Sequence, residues 1–204
     1  MTTVIDKEQD LLPDYIVWDE KTDSNNVIRK LAKAMEFPLS EQDMQDIRTL
    51  DEKYELELTK QGCAGLAAPQ IGISKQFIIF GVSDDPRLKK WRPDLTQTMP
   101  KSIWLNPSWE QVGTETSEAY EACFTIPNTS GLVKRYCKIK YKAYDVSGNL
   151  LEGTAEGFLA RVIQHEMDHL HGKLFIDYVD KKDLMSFEEY RERRKKAMEV
   201  LNGE

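Results

Sequence analysis

All three histidines of this chain fall inside one nine-residue stretch, QHEMDHLHG, at Gln164–Gly172. The apolar residues leading into it recur at helical spacing from Gly157 to Leu170, so the stretch is expected to be helical. Residues four apart on a helix share a face, so His165 and His169 can offer two imidazoles to one ion while Glu166 points to the neighbouring edge. That arrangement puts a Lewis acid and a general base within one turn. A chance HExxH on a solvated helix is the weaker reading, because apolar residues surround the motif and the chain has no other histidine. His171 sits off the shared face and reads as a surface residue or a support for a ligand. Whatever the fold, it has to bring a third protein ligand to this helix.

The 204 residues suffice for one substantial core, and 40% hydrophobic with 31% charged residues describes an ordinary globular chain, read as one domain over 1–204. A net charge of -7 gives no electrostatic case for DNA binding. The opening MTTVIDKEQDLLPD has neither the basic start and apolar run of a secretory signal nor the arginines of a transit peptide. No apolar run approaches the roughly 18 residues that a membrane span needs. Cys63, Cys123 and Cys137 are odd in number and irregularly spaced, which argues against a disulfide framework and for a reducing cytoplasm.

The pattern predicts helices over Asn25–Glu36 and Ser40–Gln61, the second opened by the cap-like SEQD and stopped at Gly62. The first 60 residues thus read as a helical region. QFIIFGV (Gln76–Val82) suits a buried strand, and Asp84–Lys101 reads as a charged loop without a period. Tyr136–Tyr144 alternates, with Cys137, Ile139, Tyr141 and Ala143 on one face, and turns at Ser147-Gly148-Asn149 into a second strand, Leu150–Ala155. Phe187–Leu201, within a tail over 181–204, reads as a charged helix. Helices first, strands in the middle and helices last indicate an α+β fold.

The residues alone leave the third ligand open. One metalloprotease pattern needs a histidine where Phe175 stands. A carboxylate such as Glu188 or Glu189 is possible in a Glu-rich helix, and so is a cysteine. Cys63 lies beside a small-residue turn, Cys137 faces a core, and Cys123 sits in EACFTIP with no competing packing role. A thiolate with two imidazoles would leave a position open for water.

Three stretches in this order, GCAGLAAPQIG (Gly62–Gly72), EACFTIP (Glu121–Pro127) and QHEMDHLHG, resemble the peptide deformylases, whose pattern runs GxGLAAxQ, EGCLS, QHExDH. The likeness continues through GLVKRYCKIKYKAYD and GKLFIDYV, covering roughly Gln61 to Asp180. It implies mixed, mostly antiparallel sheets packed around a central metal-binding HExxH helix, with a C-terminal helix. It also implies that Cys123, His165 and His169 bind the metal, that Glu166 is the general base, and that Gln70 and the Phe124 N–H form the oxyanion site. Without the family, Gln70 reads as a loop residue making a local hydrogen bond.

The resemblance implies removal of the formyl group from N-formylmethionyl peptides, with formate released and Glu166 moving the proton from water at the metal to the leaving amine. Backbone near Ala64, Gly65 and Ala122 would pair with the extended substrate, and Val162 and His165 would border the methionine pocket. Ferrous iron is the implied metal, with zinc, nickel or cobalt able to use the same ligands. Glu121 and Arg135 are expected to pair beside the site, either orienting the Cys123 strand or merely as a solvated surface pair. Arg161, one turn before His165, puts charge where an apolar pocket wall is expected. The run RERRKK, Arg191–Lys196, reads as a solvated face or as a ribosome contact for an enzyme acting on nascent chains.

The sequence departs from the family at Cys63, in place of a glycine, and at Ala122, Phe124 and Thr125, in place of Gly, Leu and Ser. Were the glycine needed for positive φ, Ala122 would cost roughly 1 kcal/mol. The Phe124 ring is expected to narrow or redirect the pocket. Two rival classes remain on sequence grounds. One is another HExxH zinc peptidase; the other is a non-catalytic relative that binds peptides or ribosomes.

Overall fold

The computed structural model describes residues 12–21 and 26–202. Its elements are α1 (Glu41–Gln61), β1 (Gly65–Ala67), β2 (Phe77–Val82), α2 (Pro86–Trp91), β3 (Met99–Gln111), β4 (Thr116–Cys123), β5 (Ile126–Tyr136), β6 (Lys138–Tyr144), β7 (Leu150–Glu156), α3 (Gly157–Leu170), β8 (Met185–Ser186) and α4 (Phe187–Asn202). Five strands form one sheet in the order β1-β2-β3-β6-β7 and three form another, β4-β5-β8. Every pairing between named strands is antiparallel, and a parallel bridge joins Lys33 to Lys75. The architecture is α+β.

Period-two alternation along β2 explains the layering. Phe77 and Ile79 face α1, packing with Ile47, Leu50 and Tyr54. Ile78 and Phe80 face α3, packing with Leu159, Ile163 and Met167. β2 is therefore buried on both faces, and α3 lies inside the molecule. Eleven of the 14 residues of α3 are buried, including Glu166 and His169.

Helix α1 begins where the cap signal placed it. Ser40 Oγ accepts from the Asp43 N–H while Asp43 accepts from the Ser40 N–H, and Gly62 ends the helix at φ 75°. Gly157 opens α3 at φ 58°, with the Asp94 carbonyl where a Cβ would go. A side chain there would displace the loop that accepts from the Phe158 N–H.

The helix expected over Asn25–Glu36 is not formed within the described residues; Asn25 itself lies outside them. A 3-10 turn at Val27–Arg29 is followed by extended chain. Ala32 N–H donates to Leu170 O, Gln76 N–H to Lys33 O, and Met35 N–H to Asn106 Oδ1, so tertiary partners take the backbone groups that a helix would use. Leu31, counted on the apolar face, is 65% exposed. Consequently the first 60 residues contain one α-helix among those described, not a helical region. The expected loop at Asp84–Lys101 holds α2 and the start of β3. The Lys89 N–H to Asp85 O and Arg92 N–H to Leu88 O bonds close its turns, and Leu88 packs on the α3 core. Cys137 is half-buried and lies just before β6, whereas Ile139 and Ala143 are fully buried.

Candidate active site

His165, Glu166 and His169 come from α3, and Cys123 is the last residue of β4. Phe124 and Thr125 make a tight turn that pairs Cys123 with Ile126 of β5. This hairpin end meets α3 so that one donor atom each from Cys123, His165 and His169 lies within 4.8 Å of the others. Cys123 Sγ is 3.4 Å from His169 Nε2. Glu188 and Glu189, exposed in the first turn of α4, are not in this group, and Phe175 is a buried core residue.

Glu121, two residues before Cys123, organises the surroundings. Its Oε2 lies 2.8 Å from His165 Nδ1 and 2.9 Å from Arg135 Nη2. Its Oε1 accepts from Arg135 Nε at 3.0 Å and from Arg161 Nη1 at 2.8 Å. Burial raises the Glu121 pKa, yet the hydrogen bonds from His165 and Arg135 outweigh it and hold the carboxyl well below the usual range. An ionised Glu121 accepting from Nδ1 keeps the proton there and leaves His165 Nε2 able to act as a ligand atom. Arg135 also donates to Asp168 at 2.5 Å, and Asp168 accepts from Tyr178 Oη at 2.9 Å. Glu121 and Arg135 are thus a buried pair, not a solvated one.

Arg161 does not stand in the cleft as a loose charge. It is 3% exposed and reaches across to β4 and β5, where its guanidinium donates to Glu121, to Val133 O at 2.9 Å, and to Ser117 O at 2.9 Å. The helix that carries the histidines is tied in this way to the hairpin that carries Cys123.

Glu166 is buried, and burial lifts its pKa to about 7, where a carboxylate can exchange protons at neutral pH. Its side chain lies against the bare backbone of Gly65. Cys63, beside it, is buried and donates to Gly65 O at 3.1 Å; burial and the Glu166 charge push its thiol pKa up, so it behaves as a core thiol.

Gln70 lies in the 3-10 turn Ala68–Ile71 and is 1% exposed. Its Oε1 accepts from Ala67 N–H at 2.8 Å, which directs Nε2 to Cys123 Sγ at 3.2 Å and Thr125 Oγ1 at 3.5 Å. An N-terminal strap crosses both site loops, through Ile16 N–H to Gln70 O at 2.7 Å and Trp18 N–H to Thr125 O at 2.9 Å. Tyr15 stacks on Phe124 with centroids 4.7 Å apart, so the Phe124 ring is held on the strap side. Ala122 carries no left-handed strain; among the described residues the non-glycine positive φ values belong to Asn106 and Asn128.

A cleft of about 500 Å³ runs over these groups and is bordered by Ala64, Gly65, Ala122, Phe124, Val162 and His165. β1 and β4 are edge strands of their respective sheets, and both border the cleft. Two strand edges at one cleft suit an extended peptide.

The residues fit a metal. A thiolate and two imidazoles form a donor set suited to a divalent transition ion, and the three donor atoms lie close enough together to share one. Carboxylate support of His165 is the usual partner of a ligating imidazole.

The sequence gives Tyr15 and Tyr178 no role at the site, and names Thr125 and the Asp168 of QHExDH only as motif positions; Arg161 does line the cleft, as expected, while its guanidinium is taken up by β4 and β5. No local signal marks Tyr15 or Tyr178, since each acts on a group outside its own segment.

Comparison with known proteins agrees with this geometry. The model of the polypeptide deformylase family matches residues 20–185. Peptide deformylase 2 of Rickettsia conorii is 55% identical over 194 residues, which is 94% of this chain and 95% of that protein. Peptide deformylase 1 of Bordetella pertussis is 42% identical over 68% of this chain and 76% of that protein. A Met-Ala-Ser-bound class I type b peptide deformylase from Acinetobacter baumannii superposes with a TM-score of 0.65 at 27% identity, covering 81% of this chain and 99% of that one. The peptide deformylase of Thermotoga maritima gives a TM-score of 0.62 at 30% identity, covering 82% and 98%.

Proposed function

This chain belongs to the polypeptide deformylase family, and on that premise we propose that Cys123, His165 and His169 hold one divalent metal beside Glu166 as general base. The enzyme is a metal-dependent peptide deformylase: it hydrolyses the N-terminal formyl group of N-formylmethionyl peptides and releases formate. The observation that carries the site assignment is the meeting of the three donor atoms within 4.8 Å.

When bound, the metal supplies a Lewis acid that polarises the formyl carbonyl and lowers the pKa of water. Glu166 takes a proton from the attacking water, whose oxygen bonds to the formyl carbon. As the C–N bond breaks, Glu166 returns that proton to the leaving amine, giving formate and a free peptide N-terminus. Gln70 Nε2, oriented by the bond that its Oε1 accepts from Ala67, donates to the oxygen that gains charge, together with the Phe124 N–H. Losing one such donor costs about 3 kcal/mol of barrier. The substrate backbone lies between Ala64–Gly65 and Ala122, with its methionine beside Val162 and His165. Glu121 and Arg135 hold the His165 ring in place.

Ferrous iron is the proposed native metal, with zinc, nickel and cobalt as chemical substitutes on the same donors. The proposed setting is the cytoplasm, where the free thiols of Cys63, Cys123 and Cys137 stay reduced. Among the described residues no helix is long and apolar enough to cross a membrane. The exposed Arg191 and Arg193 on α4 suit a ribosome contact, in a chain read as one domain.

The test is formate release from formyl-Met-Ala-Ser by anaerobically iron-loaded protein, beside Glu166→Ala and Cys123→Ala. Glu166→Ala is expected to keep its metal and lose turnover, and Cys123→Ala to lose the metal. Turnover by Glu166→Ala at the wild-type rate would overturn the assignment of the base.

A further inference from the structure

The cleft extends past the groups that the mechanism uses. Its lining also includes Tyr120 on β4 and Phe187 and Tyr190 in the first turns of α4. The Tyr190 ring lies 5.1 Å from Tyr120 and 5.9 Å from Phe187, so the three make one aromatic surface. That surface is anchored. β8 pairs Ser186 with Thr129 and Met185 with Ser130, then leads directly into Phe187, and Ser186 Oγ accepts from the Glu189 N–H at 3.0 Å. Phe187 nonetheless remains 40% exposed, so its ring is open to a ligand in the cleft.

Alternation along β4 decides which part of a substrate reaches this surface. Ser117 and Glu121 both bond Arg161 of α3, so they share the face toward that helix, and Cys123 lies on the same side. Tyr120 and Ala122 project to the other face. A peptide lying along the β4 edge alternates in the same way. With the methionine side chain on the α3 face beside Val162, the next side chain points to the face of Tyr120.

The geometry points to an aromatic subsite, Tyr120–Tyr190–Phe187, that receives the second side chain of the formylated peptide and favours large apolar or aromatic residues there. The inference rests on the deformylase reading and on the added-strand orientation of the substrate. It gives the start of the C-terminal helix a role in selecting substrates. Ring-on-ring and apolar contact are the forces available, since the surface offers three aromatic faces.

The experiment compares kcat/KM for formyl-Met-Phe-Ser and formyl-Met-Ala-Ser, using metal-loaded wild type, Phe187→Ala, Tyr190→Ala and Tyr190→Phe. Wild type is expected to prefer the Phe peptide about tenfold, mainly through KM. The two alanine variants should bring that ratio toward one by raising KM for the Phe peptide, and Tyr190→Phe should keep it. A wild-type ratio near one, or alanine variants that slow both peptides by the same factor, would overturn the subsite. Formate from neither peptide in wild type would instead overturn the deformylase reading beneath it.

Discussion

Gly65 and Glu166 compete for the same space: a Cβ on residue 65 would lie 2.7 Å from both Cγ and Oε1 of Glu166. The carboxylate proposed as base is seated on bare β1 backbone, and the glycine is what lets it sit there. Gly65→Ala should therefore move Glu166 and lower kcat about 100-fold, because catalytic groups tolerate little displacement. Bound metal should stay at wild-type stoichiometry, as the ligands lie elsewhere. Unchanged formate release from Gly65→Ala would show that the seat does not matter.

Glu121 carries charge for His165, Arg135 and Arg161 together. Glu121→Gln keeps the shape but withdraws that charge, so the His165 ring loses its anchor. Metal affinity, measured by competition with a chelator, is expected to fall 10- to 100-fold, roughly the range seen when such carboxylate supports are removed elsewhere. Wild-type affinity in this variant would mean that the carboxylate does not tune the site.

Arg161 joins α3 to the buried Glu121 and Val133 and to the half-buried Ser117. Arg161→Ala leaves Glu121 short of one counter-charge and Val133 O short of one donor. Urea unfolding should show a loss of about 3–5 kcal/mol. Arg161→Lys, which keeps the charge without the fork, should recover only part of it. A loss under about 0.5 kcal/mol would place Arg161 among ordinary surface charges.

Asp43 gives a stability change with a definite sign in pH. The hydrogen bond from Lys75 and those from Ser40 lower its pKa to about 2 from an ordinary 3.8. A carboxyl depressed in the folded state stabilises that state above its unfolded pKa, and the contribution disappears as pH falls from about 4 toward 2. Wild type should exceed Asp43→Asn by about 1–2 kcal/mol at pH 6, after allowance for solvent screening, and the gap should close by pH 2. A gap that stays constant over this range would assign the effect to packing at the helix cap.

Much of the fold was legible where the determining interactions are local. The Ser40–Asp43 box and Gly62 bound α1, an apolar run gave β2, alternation gave β6, the Ser147-Gly148-Asn149 turn gave β7, and the helical period gave α3 over Gly157–Leu170. The reading failed over Val27–Met35, where Leu170 O, Ser74 O, the Gln76 N–H and the Asn106 side chain take the backbone groups of a helix, and over β3–β5, whose polar stretches make weak strand signals.

The same division runs through the site. Residues four apart on a helix share a face whatever surrounds them, so the juxtaposition of His165 and His169 was settled by the sequence. Ordered motifs also brought out Gln70, Cys123 and Glu166 as members of one constellation. Tertiary structure alone decided that Glu121 takes an imidazole and a second guanidinium beside the expected Arg135, that Arg161 at the cleft wall bonds to β4 and β5, and that α4 brings aromatic rings to the cleft. These depend on where β4, β5, α3 and α4 meet in space. A buried charge is stable only among partners, and those partners are set by packing between elements far apart in the chain, which no local spacing encodes.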